Sequence, residues 1–112
     1  MTGRAAGASP AVQLDEERLR VAAEPVRAAI LRALAAEQMC TCHLVELLEV
    51  RQTNVSNHLR VLREAGLVEA EPVGRYTYYR LRPDALHALA GQLAGLAETA
   101  TATMTQGRRR PC

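Results

Sequence analysis

Leu44, Leu47 and Leu48 recur at i, i+3 and i+4, a break follows at Glu49 to Gln52, and Val55, Leu59, Leu62 and Ala65 then line one face of a second helical stretch. Beyond Gly66 the period changes to two short extended runs, Leu67 to Glu71 and Tyr76 to Leu81, around Pro72-Val73-Gly74-Arg75. A last helical stretch repeats Leu86, Leu89, Leu93 and Leu96. These observations predict a mostly α chain with a two-stranded β-wing, a winged helix-turn-helix that forms a homodimer through its terminal helices.

Taken in order, residues 1–11 are rich in Gly, Ala and Ser and read as a disordered arm, residues 12–101 as one dimerisation and DNA-binding domain, and residues 102–112 as a flexible basic tail. Val12 to Ala23 is read as a first helix, with Asp15, Glu16 and Glu17 early and Arg18 and Arg20 late, as the helix dipole favours. Pro25 opens a second, whose stripe of Val26, Ile30, Leu31 and Leu34 predicts burial up to Ala36. In the paired helices Thr53 is the expected cap of the second and Gly66 its stop. The hairpin places Arg75 at its tip with Tyr76 and Arg80 nearby. Pro83 and Asp84 start the final helix, whose leucine seam among Ala and Gly suits packing across a two-fold axis. Periodicity is lost after Thr101.

The chain has 112 residues, no Phe or Trp and three Tyr, so its core is built from Leu, Val, Ile and Ala. A domain this small with an aliphatic core gains from dimerisation. All 14 basic residues are arginine, which favours bidentate contacts to phosphate and guanine, and a net charge of +2 requires them to be clustered. No run approaches the ~20 apolar residues of a membrane span or forms a secretory signal, so a cytoplasmic chain without a membrane partner is expected. Three cysteines in that compartment read as thiols with a metal or redox use. A thiol oxidoreductase would carry C-x-x-C at a strand-to-helix junction, and this chain carries C-x-C instead; neither an enzyme nor an organic cofactor is expected.

The second of the paired helices turns Thr53, Asn54, Ser56, Asn57, His58, Arg60 and Arg63 away from its apolar stripe, all able to bond phosphates or base edges. With Arg75 and Tyr76 of the wing, they are the expected contacts to double-stranded operator DNA. The rival reading is a winged helix that binds protein through the same surface.

This order of elements resembles the ArsR/SmtB family of small winged-helix metal-sensing repressors over about Leu19 to Leu96, most specifically in TNVSNHLRVLREAGLV (Thr53 to Val68) and GRYTYYRL (Gly74 to Leu81). Cys40-Thr41-Cys42-His43-Leu44 is similar to the paired-cysteine motif of its arsenic-responsive branch. That resemblance implies a homodimer that represses a resistance operon and leaves its operator when As(III) or Sb(III) binds. Relatives often have a third cysteine on the same helix, where this chain has Val45. The cadmium- and lead-responsive branch adds arm cysteines, which are missing here. The zinc-responsive branch uses carboxylates and histidines of the last helix, of which Asp84, His87 and Glu98 are present without a second histidine.

Soft ions such as As(III), Sb(III) and Hg(II) favour thiolate sulfur, and Cys40 and Cys42 are the minimum chelate. At ~100° per helical residue, i and i+2 point ~200° apart, so one ion joins both only by unwinding that turn. With Thr41 as the cap, Cys40 would lie just outside the helix and Cys42 just inside, where a helix N-terminus promotes the thiolate. Cys112 is the remaining thiol and the expected third ligand, its tail of eleven residues reaching ~35 Å when extended; a small-molecule thiol or water is the alternative ligand, with Arg108 to Arg110 of the tail then holding DNA phosphates. Oxidation of the pair is an alternative input, as is Hg(II), Cd(II) or Zn(II) on the same fold.

Overall fold

A computed structural model describes residues 13–112, and helices carry most of them. α1 (Glu16–Ala23) begins where the Asp15 carboxylate accepts the Arg18 backbone N–H at 3.0 Å, so Gln13 and Leu14 stay outside the helix expected from Val12, a residue that lies outside the described ones. α2 (Pro25–Ala36) starts on Pro25, and Glu24 caps it by accepting the Arg27 N–H at 2.8 Å.

β1 (Met39–Cys40) was not read from the sequence. It runs directly into α3 (Thr41–Leu48), which closes on Glu49 in the left-handed region at φ 55°. That residue reverses the chain, Arg51 becomes extended, and α4 (Gln52–Glu64) starts one residue before the expected cap. Thr53 is therefore inside the first turn, and Arg51 is the N-cap with no side-chain bond. The end of α4 is as expected: Leu67 N–H reaches the Leu62 carbonyl at 3.0 Å around Gly66 at φ 76°. A Cβ at Gly66 would stand 2.8 Å from an Arg18 guanidinium nitrogen, the movable end of a long side chain, so it is the positive φ that calls for glycine here.

β2 (Val68–Val73) and β3 (Tyr76–Leu81) form the wing, joined by Gly74 and Arg75 alone. Pro72 belongs to β2 and is tolerated because β2 is an edge of the sheet. The order is β1-β3-β2, all antiparallel, so the two-stranded wing is extended by a short third strand, with Cys40 opposite Tyr78. α5 (Pro83–Gln106) continues through the first five residues of the expected tail; the hydroxyls of Thr101, Thr103 and Thr105 bond back to the carbonyls of Ala97, Thr99 and Thr101, and Gly107 ends the helix.

Val21, Ile30, Leu44, Val55, Leu59, Leu62 and Leu67 are fully buried in one aliphatic core. At ~1.5–3 kcal/mol per buried side chain, this cluster holds α3 and α4 in a fixed mutual position. Two arginines tie α1 and α2 to α4. Arg18 Nε donates to the Ala65 carbonyl at the end of α4 (2.8 Å), and buried Arg27 donates to the Val21 carbonyl (2.7 Å) and to His58 Nδ1 on α4 (3.2 Å).

Candidate thiol site and nucleic-acid interface

Cys40 is the N-cap of α3 and is extended at φ −88°, ψ 169°, so the helical spacing rule does not apply to the pair. Its sulfur meets that of Cys42 with α3 intact, the two Cα atoms 5.5 Å apart and the residues joined as a disulfide. The expectation that one turn must unwind before the sulfurs converge is thus corrected, and so is Thr41 as the cap: it is the first helical residue. Cys40 is buried, only 4% exposed, whereas Cys42 and His43 are exposed. His43 Nδ1 accepts the Cys40 N–H at 3.3 Å and lies 3.3 Å from the Cys40 sulfur. The ligand atoms of Cys40, Cys42 and His43 all fall within 4.8 Å of one another. Two sulfurs suit a thiophilic ion; two sulfurs with an imidazole also suit a borderline divalent ion such as zinc.

Tyr76 and Tyr78 complete the site. With Cys40, Cys42 and His43 they line a surface pocket of about 270 Å³, and the His43 and Tyr78 rings are 6.2 Å apart. A second hollow beside it joins Cys42 to Gln52, the first residue of α4, and to Tyr76 and Thr77. Sequence reasoning assigned Tyr76 to DNA and missed Tyr78. Strand alternation puts both on one face, but the neighbour that brings thiols to that face is a two-residue strand with no periodicity of its own. Cys112 is exposed and free, and is not among the grouped ligand atoms. Once α5 extends to Gln106, only six residues follow, a reach of ~20 Å against a helix ~36 Å long.

On α4, Thr53, Asn54, Ser56, Asn57, Arg60 and Arg63 are exposed, together with Gln52, which the sequence reading left in the turn. Arg60 reaches Glu64 at 3.3 Å, an exposed i, i+4 pair worth only ~0.3–0.5 kcal/mol and readily exchanged for a phosphate. His58 does not belong to this face. Its ring points toward α2, between Arg27 and the Glu24 carboxylate at 3.9 Å, and Glu24 lies below the ordinary glutamate value chiefly because the Arg27 N–H bonds it, burial opposing and the His58 and Arg27 charges assisting. Arg75 is exposed at the wing tip. Arg80 is held by Glu69 and Glu71, each at 2.7 Å, and is not free for DNA in this arrangement.

An exposed polar helix on a rigid aliphatic core, followed by an arginine-tipped hairpin, defines a winged helix-turn-helix protein. Residues 24–70 match the family described as bacterial regulatory protein, arsR family. Over 65 residues the chain is 48% identical to the HTH-type transcriptional repressor SmtB of Mycobacterium tuberculosis, a segment covering 58% of this chain and 48% of that protein. Over 75 residues it is 32% identical to the arsenical resistance operon repressor of Bacillus subtilis, covering 66% of this chain and 71% of that one. A crystal structure of a possible transcriptional regulator for arsenical resistance superposes with a TM-score of 0.68 at 31% identity, covering 84% of this chain and 98% of that one. The chain belongs to the ArsR family, whose members are DNA-binding transcriptional regulators and not enzymes. It spans about half the length of the SmtB repressor it matches. Among the described residues, no helix is long and apolar enough to cross a membrane.

Proposed function

We propose that this protein is a cytoplasmic, metal(loid)-responsive repressor that binds operator DNA as a homodimer and is released when As(III) or Sb(III) binds Cys40 and Cys42. The observation that carries the reading is the convergence of the two sulfurs at the start of α3, with α3 packed on the reader helix α4 and β1 paired to the wing. The thiols form when small-molecule thiols reduce the disulfide by two electrons, each cysteine gaining a proton. Arsenous acid then exchanges two hydroxyls for the two thiols, forming two As–S bonds and releasing two waters. Ser56, Asn57 and Arg60 read base edges, while Arg63 and Arg75 hold phosphates. Leu93 and Leu96, 45% and 42% exposed on α5, supply the dimer contact that spaces two readers by ~34 Å.

The test is fluorescence anisotropy of the protein on DNA from its own promoter, with and without arsenite. Coupling of this kind is commonly ~5–150-fold in affinity. Cys42→Ser is expected to bind the promoter and ignore arsenite; a variant still released would exclude the pair as the sensor. The third position on As(III) keeps its hydroxyl, or exchanges it, with release of a third water, for Cys112 of the partner subunit's tail or for a small-molecule thiol. Arsenic X-ray absorption separates them, three sulfurs falling to two in Cys112→Ser only if the tail ligates.

The joined cysteines also favour a second reading, in which oxidation itself is the signal. Peroxide would take two electrons and two protons from the dithiol, forming the S–S bond and two waters. Release of DNA by peroxide but not by arsenite would select that reading.

A further inference from the structure

The thiol site touches both DNA-reading elements, and they differ in how freely they can move. Toward α4, Leu44 of α3 packs among Val55, Leu59 and Leu62, all 0% exposed, so a shift there must disturb a close-packed core. Toward the wing, residues 71–77 are exposed. Cys40 is directly opposite Tyr78, which places their side chains on one face of the sheet, and Tyr76 is two residues along the same strand, ~7 Å away on that same face. Tyr76 is 58% exposed yet lines the pocket with both cysteines, and the next residue toward the turn is Arg75. One side chain therefore stands between the sulfurs and the tip of the wing.

We propose that Tyr76 is the positioning residue through which an ion at Cys40 and Cys42 acts on the wing. The inference rests on the reading of the pair as an arsenite site and adds the route by which occupancy reaches DNA. An ion with its remaining ligand occupies the space that Tyr76 and Tyr78 enclose, and the tyrosine ring gives way before the core beneath α3 does. Movement of Tyr76 carries Arg75 from the phosphate it holds. By reciprocity, DNA that fixes Arg75 keeps Tyr76 over the cysteines and weakens arsenite binding by the same factor.

The chain supplies its own optical reporter. It has no Trp, and its three Tyr residues are Tyr76, Tyr78 and Tyr79, all in β3, so tyrosine emission reports on this strand alone. The experiment measures promoter affinity with and without sodium arsenite, by anisotropy of labelled DNA, for wild type, Tyr76→Ala and Tyr76→Phe. The ratio of the two affinities is the readout, because it is indifferent to what either affinity loses alone. Arsenite occupancy is followed separately by sulfur-to-arsenic absorption. Tyr76→Ala is expected to bind arsenite while its ratio falls to below about one-third of wild type; Tyr76→Phe, which keeps the ring, is expected to restore it. Tyrosine emission of wild type is expected to change on arsenite addition, with most of that change lost in Tyr76→Phe. A wild-type ratio in Tyr76→Ala with arsenite bound overturns the inference and leaves the sensor intact. Failure of arsenite to release the wild type overturns the proposed function and this route with it.

Discussion

Arg27 is the buried cation that ties the α1–α2 corner to the reader helix, and replacing it is expected to weaken the whole domain. The side chain is 9% exposed; Nε donates to the Val21 carbonyl at 2.7 Å, one of the last carbonyls of α1, and Nη1 donates to His58 Nδ1 at 3.2 Å. Met at this position keeps the aliphatic stem and removes both donors. Leaving the Val21 carbonyl without its partner costs ~1–3 kcal/mol, and the bond to His58 contributes ~0.5–1.5 kcal/mol, so Arg27→Met is expected to lose about 3 kcal/mol in total. For a domain of this size, that loss corresponds to a Tm lower by roughly 12–24 °C. Circular dichroism at 222 nm on heating, with both proteins at one concentration because a dimer's Tm depends on it, measures the difference. Arg27→Lys, with one ammonium for two acceptors, is expected to fall between. A Tm within about 3 °C of wild type for Arg27→Met, equivalent to under ~0.5 kcal/mol, would refute the reasoning that these two bonds fasten the reader.

Three further outcomes follow from the same structure. The double variant Ser56→Ala, Asn57→Ala is expected to lose ~1–3 kcal/mol of discrimination per base contact between promoter and random DNA, and unchanged specificity by anisotropy would place the reader elsewhere. Charge on the exposed leucines of α5, Leu93→Glu with Leu96→Glu, is expected to give a folded monomer by sedimentation velocity at micromolar concentration; a persisting dimer would locate the interface on another face. The carboxylate of Glu24 is lowered from an ordinary value of 4.5 chiefly by the Arg27 N–H, with burial acting to raise it. A depressed carboxylate stabilises the fold above its unfolded value and loses that contribution as pH falls through the folded one, so Glu24→Gln is expected to flatten the acid limb of stability below pH ~4.5. An acid limb of the same slope in both proteins would remove Glu24 from the account.

Elements with a strong period were legible in the sequence: the apolar stripe of α4, Leu44 of α3, the αL glycine at Gly66 and the change of period into the wing stand in the fold, whereas Leu47 of the expected α3 stripe is 57% exposed. The features that no local period encodes are short or tertiary. β1 has two residues, too few for alternation to register, and it exists because β3 offers an edge to Met39 and Cys40. Without that strand Cys40 has no register against Tyr78, and the tyrosine wall of the pocket stays hidden. The polarity of His58 predicts an outward side chain, although its position beside Leu59 on α4 lets it turn to Arg27 of α2, a partner 31 residues away that no local pattern reveals. The residues after Thr101 read as a tail because periodicity is lost there; the helix nevertheless runs on to Gln106, the hydroxyls of Thr101, Thr103 and Thr105 bonding to the preceding turn.

The central claim is that an ion held by Cys40 and Cys42 is what takes the protein off DNA. It is tested most directly by titrating arsenite into the reduced protein on its labelled promoter while recording sulfur-to-arsenic absorption and anisotropy from the same cuvette. The two curves are expected to run together and to saturate at one arsenic per protomer. Release that saturates before the thiols are occupied, or full occupancy with the DNA still bound, would contradict it.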